Sequence, residues 1–171
     1  PLAVTSARAR SRIIAHGAAR EYLNSETARL RLEASRQELA PWVNEDTRLV
    51  EADEWIEGDK DLTVGGVRFQ LKLVGPSHTP EDLVIYLPSE KVLFAGDLVF
   101  RSRIPYVGKA DSRHWITALD ALLAFEAHII VPGHGPLASR ADLEVFRAML
   151  VTSRDRIQKL YEEGKTEAEV L

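Results

Sequence analysis

The sequence has 171 residues, enough for one domain with a sizeable core, and its 45% apolar and 28% charged residues exclude disorder over most of the length. The net charge of −4 does not indicate the basic surface that binds nucleic acid, and no apolar run is long enough to cross a bilayer. Cysteine is absent, which excludes disulfides, thiolate zinc ligands and cysteine nucleophiles.

The first residues, Pro1-Leu2-Ala3-Val4, contain neither an initiator Met nor a signal-peptide pattern. We therefore expect the chain to belong to a longer gene product. The sequence leaves its compartment open.

The N-terminal third predicts one short strand and one helix. The apolar run at residues 12–15 is typical of a buried strand, and residues from about 18 to 39 are typical of a helix that Pro41 ends. The helix is rich in Arg and Glu, so we expect one side of it to be exposed.

Residues 48–74 predict β structure that ends in a hairpin. The segments 62–64 and 67–73 flank Gly65-Gly66, a pair typical of a two-residue hairpin turn. Apolar and polar residues alternate along residues 67–73, which predicts a strand with one buried face and one solvent-exposed face.

The second half predicts a further hairpin and then helix, strand and helix. Residues 82–87 and 91–95 are nearly continuous apolar runs, as expected of strands covered on both faces. A helix is predicted at residues 112–125 and a buried strand at 128–131. Ser139 and Asp142 match a capping box that opens the last helix, with Gly164 at its end. This order predicts an α/β fold in layers.

Three Gly- and Pro-rich segments each carry one candidate metal ligand. They are Gly75–Pro80 with His78, Phe94–Asp97 with Asp97, and Val131–Pro136 with His134, and each is predicted to follow a strand. Such turns hold a side chain rigidly and expose it. Two imidazoles and a carboxylate suit zinc, although they are too few for a complete catalytic site.

A structural role is the ordinary explanation for any one of these residues, because a single His in a turn usually has no ligand. The shared placement of all three at strand ends is harder to explain by packing. We therefore interpret them as one site.

Residues 78–136 resemble the second half of the metallo-β-lactamase superfamily. The segment HTPEDLVIYLPSEKVLFAGDLVF resembles the family's third-His and bridging-Asp region, and IIVPGHGP resembles its last-His region. The run from Ala95 onward is most similar to glyoxalase-II-like and quinoprotein-relay-type zinc metallohydrolases. The resemblance implies an αββα sandwich, here one domain over residues 1–171 that is incomplete on its N-terminal side.

The resemblance also implies a set of zinc ligands. His78 would complete a three-His site, Asp97 would bridge two metal ions, and His134 would belong to the second ion; zinc or other divalent metals would fill both positions. The family's remaining ligands lie in a His-x-His-x-Asp-His segment that this sequence lacks. His16, His114 and His128 are interpreted as structural.

The implied activity is hydrolysis. Two metal ions would share a water and the Asp97 carboxylate, and the hydroxide formed would attack an ester, thioester or related bond without a protein nucleophile. β-Lactamases of this fold carry a cysteine or another non-bridging residue at the position of Asp97, so a β-lactamase is not predicted.

The segment after Asp97 is predicted to line the substrate cleft. Arg101, Arg103, Tyr106 and Lys109 make it basic and partly aromatic, which favours a small anionic substrate, although such charges are more often only solvated. Arg103, Tyr106 and Lys109 are the candidate substrate-binding residues. No nucleic-acid or membrane partner is predicted.

The alternative is a non-catalytic fragment or degenerate paralogue that acts as a binding or interaction module. The absent ligand segment favours it for the 171 residues, whereas His78, Asp97 and His134 favour a parent enzyme. We expect the chain alone to be inactive or nearly so, to retain metal weakly, and to dimerise or aggregate through an uncovered sheet edge.

Overall fold

The computed structural model describes residues 11–108 and 110–170, so the predicted substrate-binding residue Lys109 lies outside the described residues. Contacts within the chain divide it into two compact units, residues 1–58 and residues 59–171. None of the described helices is long and apolar enough to cross a membrane.

The first unit contains two short parallel strands and two helices. Strand β1 (Ile14–His16) pairs with β2 (Glu54–Ile56), and β1 starts two residues later than predicted. The single helix predicted for residues 18–39 is wrong. It is divided into α1 (Ala19–Leu23) and α2 (Glu26–Glu38), because Ser25 takes an extended conformation and its side chain accepts a hydrogen bond from the Ala28 N–H.

The second unit is built on a five-stranded sheet in the order β3-β4-β5-β6-β7. Its strands are β3 (Lys60–Val64), β4 (Val67–Leu73), β5 (Leu83–Leu87), β6 (Val92–Phe100) and β7 (Ile129–His134). The predicted β3–β4 hairpin is confirmed: Gly65 and Gly66 have φ of 58° and 83°, values typical of its two-residue turn. All neighbours are antiparallel except β6 and β7, which run parallel.

Two helices, α3 (Ser112–Leu123) and α4 (Arg140–Glu162), supply the other half of the core. Trp115 of α3 is fully buried, and its indole N–H donates to the carbonyl of Leu98 at 2.9 Å. The sheet contributes a cross-strand row on one face, and the helices contribute an apolar stripe; these residues are Val84, Tyr86, Leu93, Ala95, Ile130, Leu119, Leu122, Leu143 and Phe146.

The opposite face of the sheet is more open. Phe94 and Ile129 each remain 42% exposed. The prediction that the strands at residues 82–87 and 91–95 are covered on both faces is therefore wrong at Phe94, and the prediction of a buried strand at residues 128–131 is wrong at Ile129. A continuous apolar run places apolar side chains on both faces of a strand. It does not show whether another element packs against each face.

The last helix of the core begins with the predicted capping box. The Ser139 side chain accepts from the Asp142 N–H, and the Asp142 carboxylate accepts from the Ser139 N–H at 2.8 Å. This backbone hydrogen bond, with the Ser139 hydroxyl and Arg101, holds the pKa of Asp142 below its ordinary range. The helix ends at Glu162, and Gly164 follows with φ of 74°, before the short helix α5 (Glu167–Val170).

Loss of this cap will destabilise the second unit. Ser139→Ala removes the acceptor for the Asp142 N–H, and we expect the free energy of unfolding in urea to fall by about 1 kcal/mol. Ser153→Ala is the matched control, since Ser153 lies inside the same helix and its only hydrogen-bond contact in the described structure is a 3.9 Å approach to the Met149 sulfur. Equal effects of the two substitutions would show that the capping box contributes nothing.

Candidate metal site

Asp97 and His134 meet across the parallel pair of strands. Asp97 lies in β6 and His134 is the last residue of β7, with Gly96 opposite Pro132 and Phe100 opposite His134. The Asp97 Oδ1 and His134 Nε2 atoms are 3.4 Å apart, and both side chains are more than 40% exposed. The sequence predicted that both residues follow their strands. The strands instead continue through them, and irregular register between Phe94 and Phe100 turns the side chains toward each other.

Gly133 leaves the space in which this pair forms. A Cβ atom at Gly133 would lie 2.0 Å from Asp97 Oδ1 and 2.8 Å from the Asp97 backbone nitrogen. No side chain fits at such distances. Gly133 is therefore required, because only a residue without a Cβ atom allows β6 and β7 to approach this closely.

Two arginines follow β6 and contact the end of β7 in different ways. The Arg103 Nη1 atom lies 3.1 Å from His134 Nδ1. Arg101 donates to the carbonyl of Leu137 and pairs with Asp142 at 3.0 Å, so its guanidinium is held against the start of α4. Among the described residues, Arg103 has no carboxylate partner.

His78 lies in the loop between β4 and β5 among aromatic side chains. Its ring centroid is 5.2 Å from that of Trp115 and 5.7 Å from that of Phe100. Phe100 also stacks on His134, with centroids 5.0 Å apart and planes at 24°. Both imidazoles therefore contact one phenyl ring. The His78 Nδ1 atom is buried without a hydrogen-bond partner, a costly arrangement for a polar atom.

Hydrogen bonds on either side fix the His78 loop. The side chain of the buried Ser77 donates to the carbonyl of Val74 at 2.8 Å, and Thr79 is held by the Asp82 carboxylate through its N–H and its hydroxyl. The Asp111 N–H donates to the carbonyl of Ser77 at 2.8 Å, which ties the loop to the start of α3. The position of His78 is thus set by backbone contacts that the sequence pattern does not reveal.

Two of the three remaining histidines, His16 and His114, have local structural contacts through their rings. His16 Nδ1 accepts from the Ala18 N–H at 2.9 Å. His114 Nδ1 lies 2.8 Å from Asp111 Oδ2, and Asp111 caps helix α3. Hydrogen bonds from the His114 N–H and ring hold the pKa of Asp111 below its ordinary range. These contacts agree with the structural interpretation of both histidines.

The side chains of Asp97, His134 and His78 are of the types that bind zinc, but they are too few for a complete site. Imidazole nitrogen and carboxylate oxygen are zinc ligands, and the unpartnered Nδ1 of His78 is a third donor of the same type. Within residues 11–108 and 110–170, however, no three His, Asp or Glu side chains are grouped as a metal cluster. The structure brings Asp97 and His134 together, whereas His78 shares with His134 only a contact with the Phe100 ring. The three-residue metal site remains a prediction.

An open cleft of about 200 Å³ lies beside Phe100 and Arg103, which both contact His134, but neither Asp97 nor His134 lines it. Arg101, Arg103 and Phe100 form one wall, and the helix side chains Val145, Phe146 and Met149 form the other. The Asp142 carboxylate, which is paired with Arg101, also lines the cleft. Arg103 is thus the one predicted substrate-binding residue that lines the described cleft. Tyr106 is 78% exposed on the loop beyond it. No motif in the sequence marks Phe100, whose ring contacts those of His78 and His134.

Comparison with known proteins agrees with these features. Residues 10–134 match the sequence model of the metallo-beta-lactamase superfamily. The chain belongs to this superfamily. Its fold is the superfamily's α/β fold, and the hydrolases among its relatives place it in a family of hydrolases.

Two curated relatives illustrate the similarity. The chain is 32% identical over 110 residues to a linear primary-alkylsulfatase from Pseudomonas sp., which covers 60% of this chain and 20% of that protein. It is 30% identical over 79 residues to a metallo-beta-lactamase type 2 from Bacteroides fragilis, which covers 43% of this chain and 32% of that protein. The chain therefore spans a third or less of the length of either relative.

A solved structure shows the same fold. The metallo-beta-lactamase from Pontibacter korlensis superimposes with a TM-score of 0.55 at 26% identity, over 70% of this chain and 61% of the other. The superfamily predicted from the three segments around His78, Asp97 and His134 is confirmed. The finer similarity to glyoxalase-II-like enzymes stays a prediction.

Substitution of Gly133 will separate the two strand-borne donors. Gly133→Ala places a methyl group against Asp97 Oδ1, so we expect Asp97 to be displaced and zinc affinity, measured by isothermal titration calorimetry, to fall at least about tenfold. Gly58→Ala is the control, because nothing lies within 4 Å of a Cβ at that position. Unchanged zinc affinity in a folded Gly133→Ala protein would contradict the geometry given for the pair.

Proposed function

We propose that the chain carries part of the metal site of a zinc-dependent hydrolase that cleaves an ester, thioester or related bond in a small anionic substrate. The observation that supports it most is the approach of Asp97 Oδ1 to His134 Nε2 across two parallel strands, in a chain of the metallo-beta-lactamase superfamily. Both side chains are exposed enough to reach a ligand.

In this proposal, Asp97 and His134 hold the metal from neighbouring strands. The carboxylate is an acceptor only and the imidazole offers one lone pair, so the two side chains supply an oxygen and a nitrogen ligand. A bound zinc ion would lower the pKa of a coordinated water to roughly 7 and so supply hydroxide at neutral pH. The protein's own contribution is to fix the two donors on a rigid sheet.

His78 is proposed as the third donor. Its Nδ1 atom is buried and has no hydrogen-bond partner among residues 11–108 and 110–170, although nearly all buried polar atoms have one. A ligand that reached this nitrogen would remove the free-energy cost of burying it without a partner. Its neighbours Phe100 and Trp115 exclude water from one side of the ring.

The anionic substrate is proposed from the walls of the cleft. Arg103 is exposed and has no carboxylate partner among the described residues, so the N–H groups of its guanidinium that do not contact His134 can bind a carboxylate, sulfate or phosphate group. Val145 and Met149 on the facing helix provide apolar surface for the rest of the molecule. An anion with an apolar body matches both walls.

A non-catalytic binding module is the second candidate. It is favoured by one observation, that only two donors approach each other in the described residues, whereas a catalytic zinc normally takes three protein ligands. Such a module would bind an anion in the cleft without turnover. Metal content and hydrolysis distinguish the two candidates.

Removal of either strand-borne donor will reduce metal binding. We expect Asp97→Asn and His134→Ala each to lower zinc affinity by at least about 10–100-fold, measured by equilibrium dialysis with metal analysis. His114→Ala is the control, since His114 contacts only the Asp111 cap within the described structure. If both variants bound zinc as the unmodified chain does, the metal site would lie elsewhere.

The substrate class can be tested with matched substrates. The presence of Asp97, a carboxylate, predicts that the full-length parent protein, loaded with zinc, cleaves activated esters, thioesters or sulfate esters faster than β-lactams. The assay uses anionic members of each class and, for each one, a neutral analogue. A preference for β-lactams would refute the substrate class, and zinc binding by the full-length protein without any turnover would favour the binding module.

A further inference from the structure

We infer that Arg103 opposes metal binding by holding His134 in the tautomer that carries its proton on Nε2. The inference rests on the proposed function for the identity of the site, and on one contact between two side chains. That contact is the 3.1 Å approach of Arg103 Nη1 to His134 Nδ1.

The chemistry of the two groups fixes the direction of this hydrogen bond. A guanidinium group only donates, so His134 Nδ1 must accept with its lone pair. A neutral imidazole has one protonated and one unprotonated nitrogen. The proton of His134 is therefore on Nε2.

The other side of the ring agrees with this assignment. His134 Nε2 lies 3.4 Å from Asp97 Oδ1, and an ionised carboxylate only accepts. Their separation is that of an ion pair and they are not hydrogen-bonded, but a carboxylate at this position favours a proton on Nε2. Stacking on Phe100, with centroids 5.0 Å apart, holds the plane of the ring.

This arrangement leaves neither ring nitrogen available to a metal ion. The Nε2 atom that faces Asp97 carries the proton, and the Nδ1 lone pair faces a guanidinium. Ligation through Nε2 would move the proton to Nδ1, where it would meet the N–H groups of Arg103. Metal-binding histidines normally donate their second N–H to a carboxylate, a carbonyl or water, which is the opposite polarity.

Arg103 can be displaced at low cost. Among the described residues it has no carboxylate partner, whereas Arg101 beside it is held by Asp142 and the carbonyl of Leu137. Arg103 must therefore leave His134 before the pair of Asp97 and His134 can hold zinc. It is a positioning residue, since it acts on the metal site through His134.

The tautomer is tested directly by nitrogen NMR. Long-range ¹H–¹⁵N correlation spectra of the metal-free, ¹⁵N-labelled chain separate protonated from unprotonated ring nitrogens, and His134→Ala assigns the signals. We expect His134 to carry its proton on Nε2, and Arg103→Gln to shift the population toward the Nδ1 form, because the glutamine amide oxygen can accept from Nδ1–H. A proton on Nδ1 in the unmodified chain would overturn the inference.

Zinc affinity provides the second measurement. We expect Arg103→Gln to raise it about tenfold, whereas Arg103→Lys, which keeps the charge and only donates, leaves it low. Arg101→Gln removes the same charge without contact to the imidazole and is the control for net charge. No gain in Arg103→Gln, or an equal gain in Arg101→Gln, would overturn the inference.

The same experiments separate this inference from the proposed function. If no variant binds zinc, the proposed function fails, and the NMR spectrum alone then decides whether Arg103 sets the tautomer. If zinc binds equally to all variants while His134 has its proton on Nε2, the proposed function stands and the opposition by Arg103 is wrong.

Discussion

The parallel pairing of β6 with β7 is the contact on which the candidate site depends. It places Gly96 beside Pro132 and Phe100 beside His134, and the irregular register between these pairs brings Asp97 within 3.4 Å of the imidazole. Parallel strands cannot be joined by a tight turn, so helix α3 provides the crossover. The burial of Trp115 and the Leu98 carbonyl bond then fix α3 against the strand that carries Asp97.

The site combines two donors held on a rigid sheet, Asp97 and His134, with one exposed side chain that can move, Arg103. Asp97 and His134 project from paired strands above a closely packed core, and Gly133 leaves the space that their approach requires. Arg103 follows the strand, is exposed, and has no carboxylate partner in the described part of the chain. Its hydrogen bond to His134 determines which nitrogen of the ring carries a proton. Arg103 therefore sets the tautomer of His134, a donor whose position is set by the sheet.

Much of the second unit could be predicted from the sequence, because its signals are local. The Gly65-Gly66 turn, the alternation after it and the capping box of Ser139 and Asp142 each depend on neighbouring residues. The break at Ser25 and the extension of β6 through Asp97 to Phe100 were missed, since a cap competes with helix periodicity and glycine usually ends a strand. The Arg103–His134 and Phe100–His134 contacts depend on the fold, and no local pattern contains them.

The proposed metal site requires that Asp97 and His134 together hold a zinc ion. Anomalous diffraction at the zinc absorption edge, from crystals of the chain grown with zinc, would locate the ion. We expect an anomalous peak at about 2.0–2.2 Å from both an Asp97 carboxylate oxygen and His134 Nε2, with Arg103 moved away from Nδ1. A zinc peak bound to other residues, or no peak while Arg103 keeps its contact with His134 at saturating zinc, would contradict it.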